Sequence, residues 1–209
     1  MKKRTSKILI CLNVLLLLIA SINIYKFYID DIRIAENTSE IVEVMEDSVV
    51  EDESESIIEE PYKESVEAID IKEEQVVEMT KEIVDGYEYI GLIEIPTTEL
   101  KLPVQSDWSD EKLEISPCRF TGSIYTNDLV IAGHNYKAHF SLIKWLEIGD
   151  PIQFIDVLGK EYNYEVIEME IVQPEEVERM ITGDWDLTLF TCTTGGQARM
   201  AIRCKLLEE

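Results

Sequence analysis

Positive charge is scarce in this chain: 19 Lys and Arg face 43 Asp and Glu over 209 residues, a formal net charge of −24. A field of that sign repels nucleic-acid backbones and excludes DNA and RNA as partners. The deficit is uneven. Residues 1–29 contain no acid and five Lys or Arg, residues 30–82 hold 20 acids against four bases, and residues 83–209 hold 23 against ten. Charge of either sign is missing between Ile8 and Tyr25, a stretch made mostly of Leu, Ile and Val. With Phe27, Tyr28 and Ile29 beyond the single Lys26, it is long enough to cross a bilayer as a helix. An Ala-x-Ala site is also absent, and Ile19-Ala20-Ser21 is a poor substitute, so an uncleaved anchor is favoured over a cleaved signal peptide. Basic residues precede the run and two Asp follow it. By the positive-inside rule the N-terminus stays cytoplasmic and the rest is exported.

Glycine and aromatic residues are missing from Asp30 to Glu60, and no sustained apolar period replaces them. Acidic blocks such as Glu51-Asp52-Glu53 bury too little surface to offset ordering entropy, so residues 30–61 read as a disordered, self-repelling spacer. Residues 62–85 carry a loose helical stripe at Val66, Ile69, Val76, Val77, Ile83 and Val84, read as a helix leading into the domain. From residue 86 the pattern changes to short strands and turns. The runs 89–95, 100–104, 129–132, 152–157, 162–172, 187–192 and 198–206 are strand-like, with short helices at 109–115, 138–146 and 175–181. About eight short strands separated only by short helices point to a closed or nearly closed β-barrel. No internal repeat is visible. The length allows one ordinary domain plus appendages.

Histidine is limited to His134 and His139, and the exported part holds three cysteines, Cys118, Cys192 and Cys204. An odd number leaves at least one free thiol, with a Cys118–Cys204 disulfide and two buried thiols equally open. Cys192 ends an apolar strand and is followed by Thr193-Thr194-Gly195-Gly196-Gln197, which puts it at the mouth of a tight, accessible loop. A reactive thiol there needs electropositive surroundings, because the thiolate is the nucleophile; a small buried hydrophobe is the competing reading. Arg199 and Arg203 share a face of the next strand. On spacing alone both are ordinary surface cations. His134 follows Leu129-Val130-Ile131-Ala132-Gly133, where a structural hydrogen bond is the commoner role for a lone histidine.

The three together carry a resemblance. Thr188-Leu189-Phe190-Thr191-Cys192 matches the Thr-Leu-x-Thr-Cys signature of sortases, the cysteine transpeptidases of Gram-positive cell surfaces. Ala198-Arg199-Met200-Ala201-Ile202-Arg203 resembles their arginine strand, and Val130-Ile131-Ala132-Gly133-His134-Asn135 their histidine strand, in the same order and behind an N-terminal anchor. The resemblance covers about Tyr87 to Leu207. It implies an all-β fold with short helices: an eight-stranded sortase-like barrel at residues 86–209, behind the anchor at residues 1–29. It implies cleavage of a Leu-Pro-x-Thr-Gly-type sorting signal, with Cys192 as nucleophile, His134 as general acid and base, and Arg199 as stabiliser of the oxyanion or the substrate backbone. Thr191 would line the substrate site. Implied partners are surface proteins with a C-terminal sorting signal, an amine acceptor from a peptidoglycan precursor or a pilin, and the membrane; no cofactor or metal is implied. The Cys192-to-Arg199 connection is short for the family, and no lid with an Asp-Pro-Trp-like motif precedes the barrel, which argues against the pilin-polymerising subclass. Glu175, Glu176 and Glu178 read as a solvated helix start rather than calcium ligands. A thiol hydrolase without transfer and a non-catalytic tethered binding domain are the competing functions.

Overall fold

An Asp-Gly pair opens the folded body. In the computed structural model, which describes residues 2–52 and 78–207, Asp85 and Gly86 have φ of 50° and 83°. Positive φ at both central residues is what a two-residue hairpin turn matched to strand twist requires. This turn joins β1 (Glu82–Val84) to β2 (Tyr87–Ile95), with Val84 opposite Tyr87. The helix expected over 62–85 is therefore not present in its described part: residues 78–81 are irregular and 82–84 are strand. The β-branched Ile83 and Val84 beside a turn pair outweigh a loose helical stripe. Residues 62–77 lie outside the described residues.

The remaining strands are β3 (Leu100–Gln105), β4 (Cys118–Thr121), β5 (Leu129–Ala132), β6 (Pro151–Asp156), β7 (Glu161–Val172), β8 (Leu187–Cys192) and β9 (Arg199–Leu206). Neighbours run β1-β2-β3-β4-β5-β8-β9-β7-β6, and β6 pairs back onto β2, so β2 to β9 form the expected eight-stranded barrel, with β1 as a short extra strand. Closure depends on Gly91. It sits at a bulge in β2 with φ of 152°, and a Cβ there would lie 2.2 Å from the Ile155 carbonyl oxygen of β6. Closing the sheet removes its edges, and the interior fills with Ile93, Ile95, Leu129, Ile131, Phe154, Leu189 and Ile202.

Short helices α2 (Asp110–Leu113), capped by the Ser109 side chain on Lys112 N–H, and α3 (Val177–Ile181) fill two connections. Residues 138–146 form turns and a 3-10 segment at 143–145 rather than a helix of ordinary pitch. Phe140, Ile143 and Leu146 are all buried at a spacing of three, which a three-residue turn keeps on one face. Cys118 and Cys204 are buried free thiols, which settles the disulfide question between them. Burial pushes both thiols up, that of Cys118 to about 12.

The N-terminal helix α1 runs from Lys2 to Asp52. By length and composition it can cross a membrane. Its second half overlays the region expected to be a disordered spacer. Asp31, Ile34, Thr38, Ile41, Met45 and Ser48 recur at intervals of three and four and are half-buried or buried, as is Val42 beside them. Ile41 and Met45 pack with Val84, Tyr89 and Leu92, and Glu46 ion-pairs with Lys101 at 2.5 Å. Burial against the barrel supplies what the acidic composition of this helix lacks. Residues 53–61 of the expected spacer lie outside the described residues.

Candidate active site

β5 and β8 are parallel neighbours, with Ala132 opposite Phe190 and Gly133 N–H donating to the Phe190 carbonyl at 3.0 Å. Two residues beyond this pair on each strand lie His134 and Cys192. The antiparallel pairing of β8 with β9 puts Cys192 directly opposite Arg199. His134, far away in sequence, thus meets Cys192 and Arg199 at one rim of the barrel. Gly133 is required beneath them, because a Cβ there would run into the Phe140 ring at 2.5 Å.

The short loop from Cys192 to Arg199 is tightly closed. Thr193 N–H donates to the Ala198 carbonyl at 2.9 Å, Gly196 N–H donates to Thr193 at 2.8 Å, and Gly195 and Gly196 take positive φ. Arg199 Nη1 donates to the Gly196 and Ala198 carbonyls at 3.3 and 3.2 Å, so the guanidinium is held at the loop while its other donors stay open. A cleft of roughly 310 Å³ is lined by His134, Cys192 and Arg199, with Leu113, Val177 and Met180 among its apolar walls. Trp108, Phe120 and Phe190 form an edge-to-face chain along it, at 6.2 and 5.4 Å. A second recess of similar volume lies on the other side of Cys192, lined by Asn135, Ser141, Lys144, Thr193, Thr194 and Met200. Cys192 is half-buried between them.

Thr191 lines both the cleft and the second recess, but its side chain turns inward. Leu187 and Leu189 point into the core, and alternation sends Thr191 the same way, while Phe190 and Cys192 face outward. Thr191 is 3 % exposed and its Oγ1 has no hydrogen-bond partner among the described residues. What Thr191 offers the cleft is main chain. Glu176 accepts from Gln173 N–H and pairs with Arg179, in keeping with a solvated helix start. Among the described residues there is no group of three His, Cys, Asp or Glu placed to hold a metal ion.

Sequence reasoning missed the neighbours of His134. Glu114, just after α2, puts Oε1 3.1 Å from His134 Nε2, and a carboxylate in that position can only accept the Nε2 proton. Tyr136 stacks on the imidazole at 4.6 Å and 29°. No motif signals a partner twenty residues away across a turn. Since Glu114 is 60 % exposed, the pair is worth at most about 1 kcal/mol. Glu114→Ala is expected to lower kcat/KM only some two- to fivefold, with the loss shrinking at high salt. Assays at two ionic strengths check this, and a thousandfold loss would show that Glu114 does more than orient the ring.

His139 lies behind His134, its ring 6.2 Å away and fully buried. Its Nε2 is 3.4 Å from the Ile115 carbonyl, and its Nδ1 has no partner among the described residues. Burial pushes its pKa down to about 4, with the His134 ring adding in the same direction. An unfolded imidazole takes its proton near 6.5, so acid favours the unfolded chain. Stability contributed here is complete above about pH 6.5 and is lost as the pH falls towards 4, by roughly 2.5 kcal/mol at pH 4.5. Urea unfolding of the solubilised chain at pH 7 and 4.5 is expected to show this loss, reduced in His139→Gln; equal losses in both proteins would refute the assignment.

Comparison with known proteins places the fold in a family. The Sortase domain family model matches residues 93–207, more than half of the chain. The chain belongs to the sortase family. It is 29 % identical over 137 residues to Sortase A of Bacillus anthracis, covering 63 % of this chain and 65 % of that relative's length. Among solved structures it resembles the Clostridium perfringens Sortase D5 transpeptidase (26 % identity, TM-score 0.53, 61 % of this chain and 83 % of that one). Sortase A from Corynebacterium diphtheriae is similar (25 % identity, TM-score 0.52, 59 % and 62 %). So is a Clostridium perfringens sortase C solved with the C-terminal cell wall sorting motif (25 % identity, TM-score 0.51, 58 % and 71 %).

Proposed function

We propose that this chain is a membrane-anchored cysteine transpeptidase that cleaves a Leu-Pro-x-Thr-Gly-type sorting signal and joins the released protein to an amine. The observation that carries this reading is Cys192 on the rim between two recesses, flanked by His134 and Arg199. The apolar cleft suits the substrate segment ahead of the scissile bond. The second recess, with Asn135, Ser141 and Lys144 on its wall, suits the departing chain and then the incoming amine.

Cys192, as thiolate, attacks the Thr carbonyl carbon, and the electron pair of the C=O moves onto oxygen. Arg199, fixed by two loop carbonyls, meets that oxyanion with its free donors. The C–N bond to Gly then breaks, His134 gives its proton to the leaving amine, and a thioester remains. An amine enters, His134 takes its proton, the nitrogen attacks the thioester carbonyl, and the thiolate leaves. The Thr191 main chain supports the substrate backbone. The acceptor belongs to a peptidoglycan precursor or a pilin lysine. Residues 8–29 of α1 cross the membrane, with the basic N-terminus cytoplasmic and the barrel outside.

The test is turnover of a fluorogenic peptide panel of this type by the solubilised full chain, with an amine acceptor, followed by product analysis. Amine-linked product is expected. Free acid as the sole product means a hydrolase, and no cleavage of any peptide means the reading is wrong.

A further inference from the structure

The barrel is fastened to α1 at two heights, and these fix which end of it points towards the bilayer. Asp31 Oδ1 accepts from Ala138 N–H at 3.2 Å, and the Phe27 ring meets the Tyr136 ring edge-on at 6.5 Å. Fifteen residues further along, about 22 Å of helix, Glu46 pairs with Lys101 at the start of β3. Interrupted only by Lys26, the apolar run of α1 stops at Asp30. The turn carrying His134 is thus level with the point where α1 leaves the hydrocarbon, and the rest of the barrel stands farther out.

The segment that continues from that contact differs from the rest of the surface. Residues 135–149 carry Lys137 and Lys144 against the single acid Glu147, in a chain of net charge −24. Both lysines are exposed. Trp145 and Ile148 are 70 and 73 % exposed, and Lys144 Nζ lies 5.4 Å from the centre of the Trp145 ring. Lys144 also lines the second recess beside Cys192. Tryptophan settles at the headgroup level of bilayers, and lysine is attracted to an anionic leaflet.

We propose that Lys137, Lys144, Trp145 and Ile148 form a lipid-contacting surface, with the lysines on anionic headgroups and Trp145 and Ile148 in the interfacial layer, so that the second recess beside Cys192 opens at the membrane. The inference rests on the reading of α1 as a membrane anchor. It reverses the role expected of residues 30–61: the helix through residue 52 holds the catalytic rim down rather than spacing it away.

The experiment uses the full chain in nanodiscs of phosphatidylcholine, with or without phosphatidylglycerol, whose acyl chains are brominated near the headgroup. Trp145, Trp108 and Trp185 are the tryptophans present. Bromolipid quenching of fluorescence is expected to fall by more than half in Trp145→Phe. It is expected to fall at least twofold in Lys137→Glu/Lys144→Glu or when phosphatidylglycerol is omitted. Equal quenching of Trp145→Phe and the parent, with the chain still resistant to alkaline carbonate extraction, overturns the surface while leaving the anchor intact. Extraction by carbonate overturns the anchor itself and the surface with it.

Discussion

Alanine at position 192 is expected to leave no measurable release of the amine product, because without Sγ there is no thioester and no other nucleophile lines the cleft at the paired position opposite Arg199. The other two members should cost less. His134→Ala removes proton transfer at both steps, a loss of about 10²–10⁴ in kcat. Arg199→Met removes an oxyanion donor, about 10²–10³. The losses will not add, since a group that acts through the thiolate has nothing to assist once Cys192 is gone. All three side chains are at a half-exposed rim, so the variants should unfold at the same urea concentration as the parent. Steady-state kinetics with the best peptide of the panel, paired with unfolding curves, checks this. Unchanged turnover by Cys192→Ala would remove the basis for a covalent mechanism.

The second large effect falls on stability. Arg203 shares a face of β9 with Arg199, yet its side chain is completely buried, and the reading of it as a surface cation does not hold. Nη1 donates to the Met180 carbonyl at 3.0 Å and to Thr188 Oγ1 at 3.1 Å, Nη2 donates to the Arg179 carbonyl, and Glu170 is 3.5 Å away. The Trp185 ring covers the guanidinium at 4.2 Å. These contacts tie α3, which forms one wall of the cleft, to β8 and β9. Arg203→Met keeps the apolar stem but strands two carbonyls and a hydroxyl, so a loss of about 3–5 kcal/mol is expected. That is a large part of the stability of an ordinary domain. A midpoint shift in urea with unchanged slope is the expected record, and a variant as stable as the parent would mean that the buried network contributes no net stability.

Those two arginines show where sequence reading stops. Spacing alone placed them on one face of one strand, which is right, and could go no further. Burial of Arg203 depends on α3 and Trp185 arriving from elsewhere in the chain. Strand positions were legible because alternating or continuous apolar runs between turn residues are local patterns; β8 begins and ends where the run 187–192 does. β4 was missed because Cys118–Thr121 is four residues long, and its strand character comes from pairing with β5. The docked half of α1 was missed for a similar reason. Ile34, Thr38, Ile41 and Met45 have helical spacing, but among so many acids the stripe becomes convincing only with the β1–β2 surface opposite it.

What the amino-acid order determined here is local: an uncharged run long enough for a bilayer, strands bounded by turns, and a cysteine, a histidine and an arginine each placed at the end of its own strand. Which of these stand together was decided by the closed sheet, through the parallel pairing of β5 with β8 and the register of β8 against β9. Glu114 beside the imidazole, the two recesses around Cys192 and the docking of α1 come from the same source. The physical reason is range. Backbone propensity and side-chain alternation act over a few residues, whereas register, burial and charge pairing depend on surfaces that exist only once the barrel has closed.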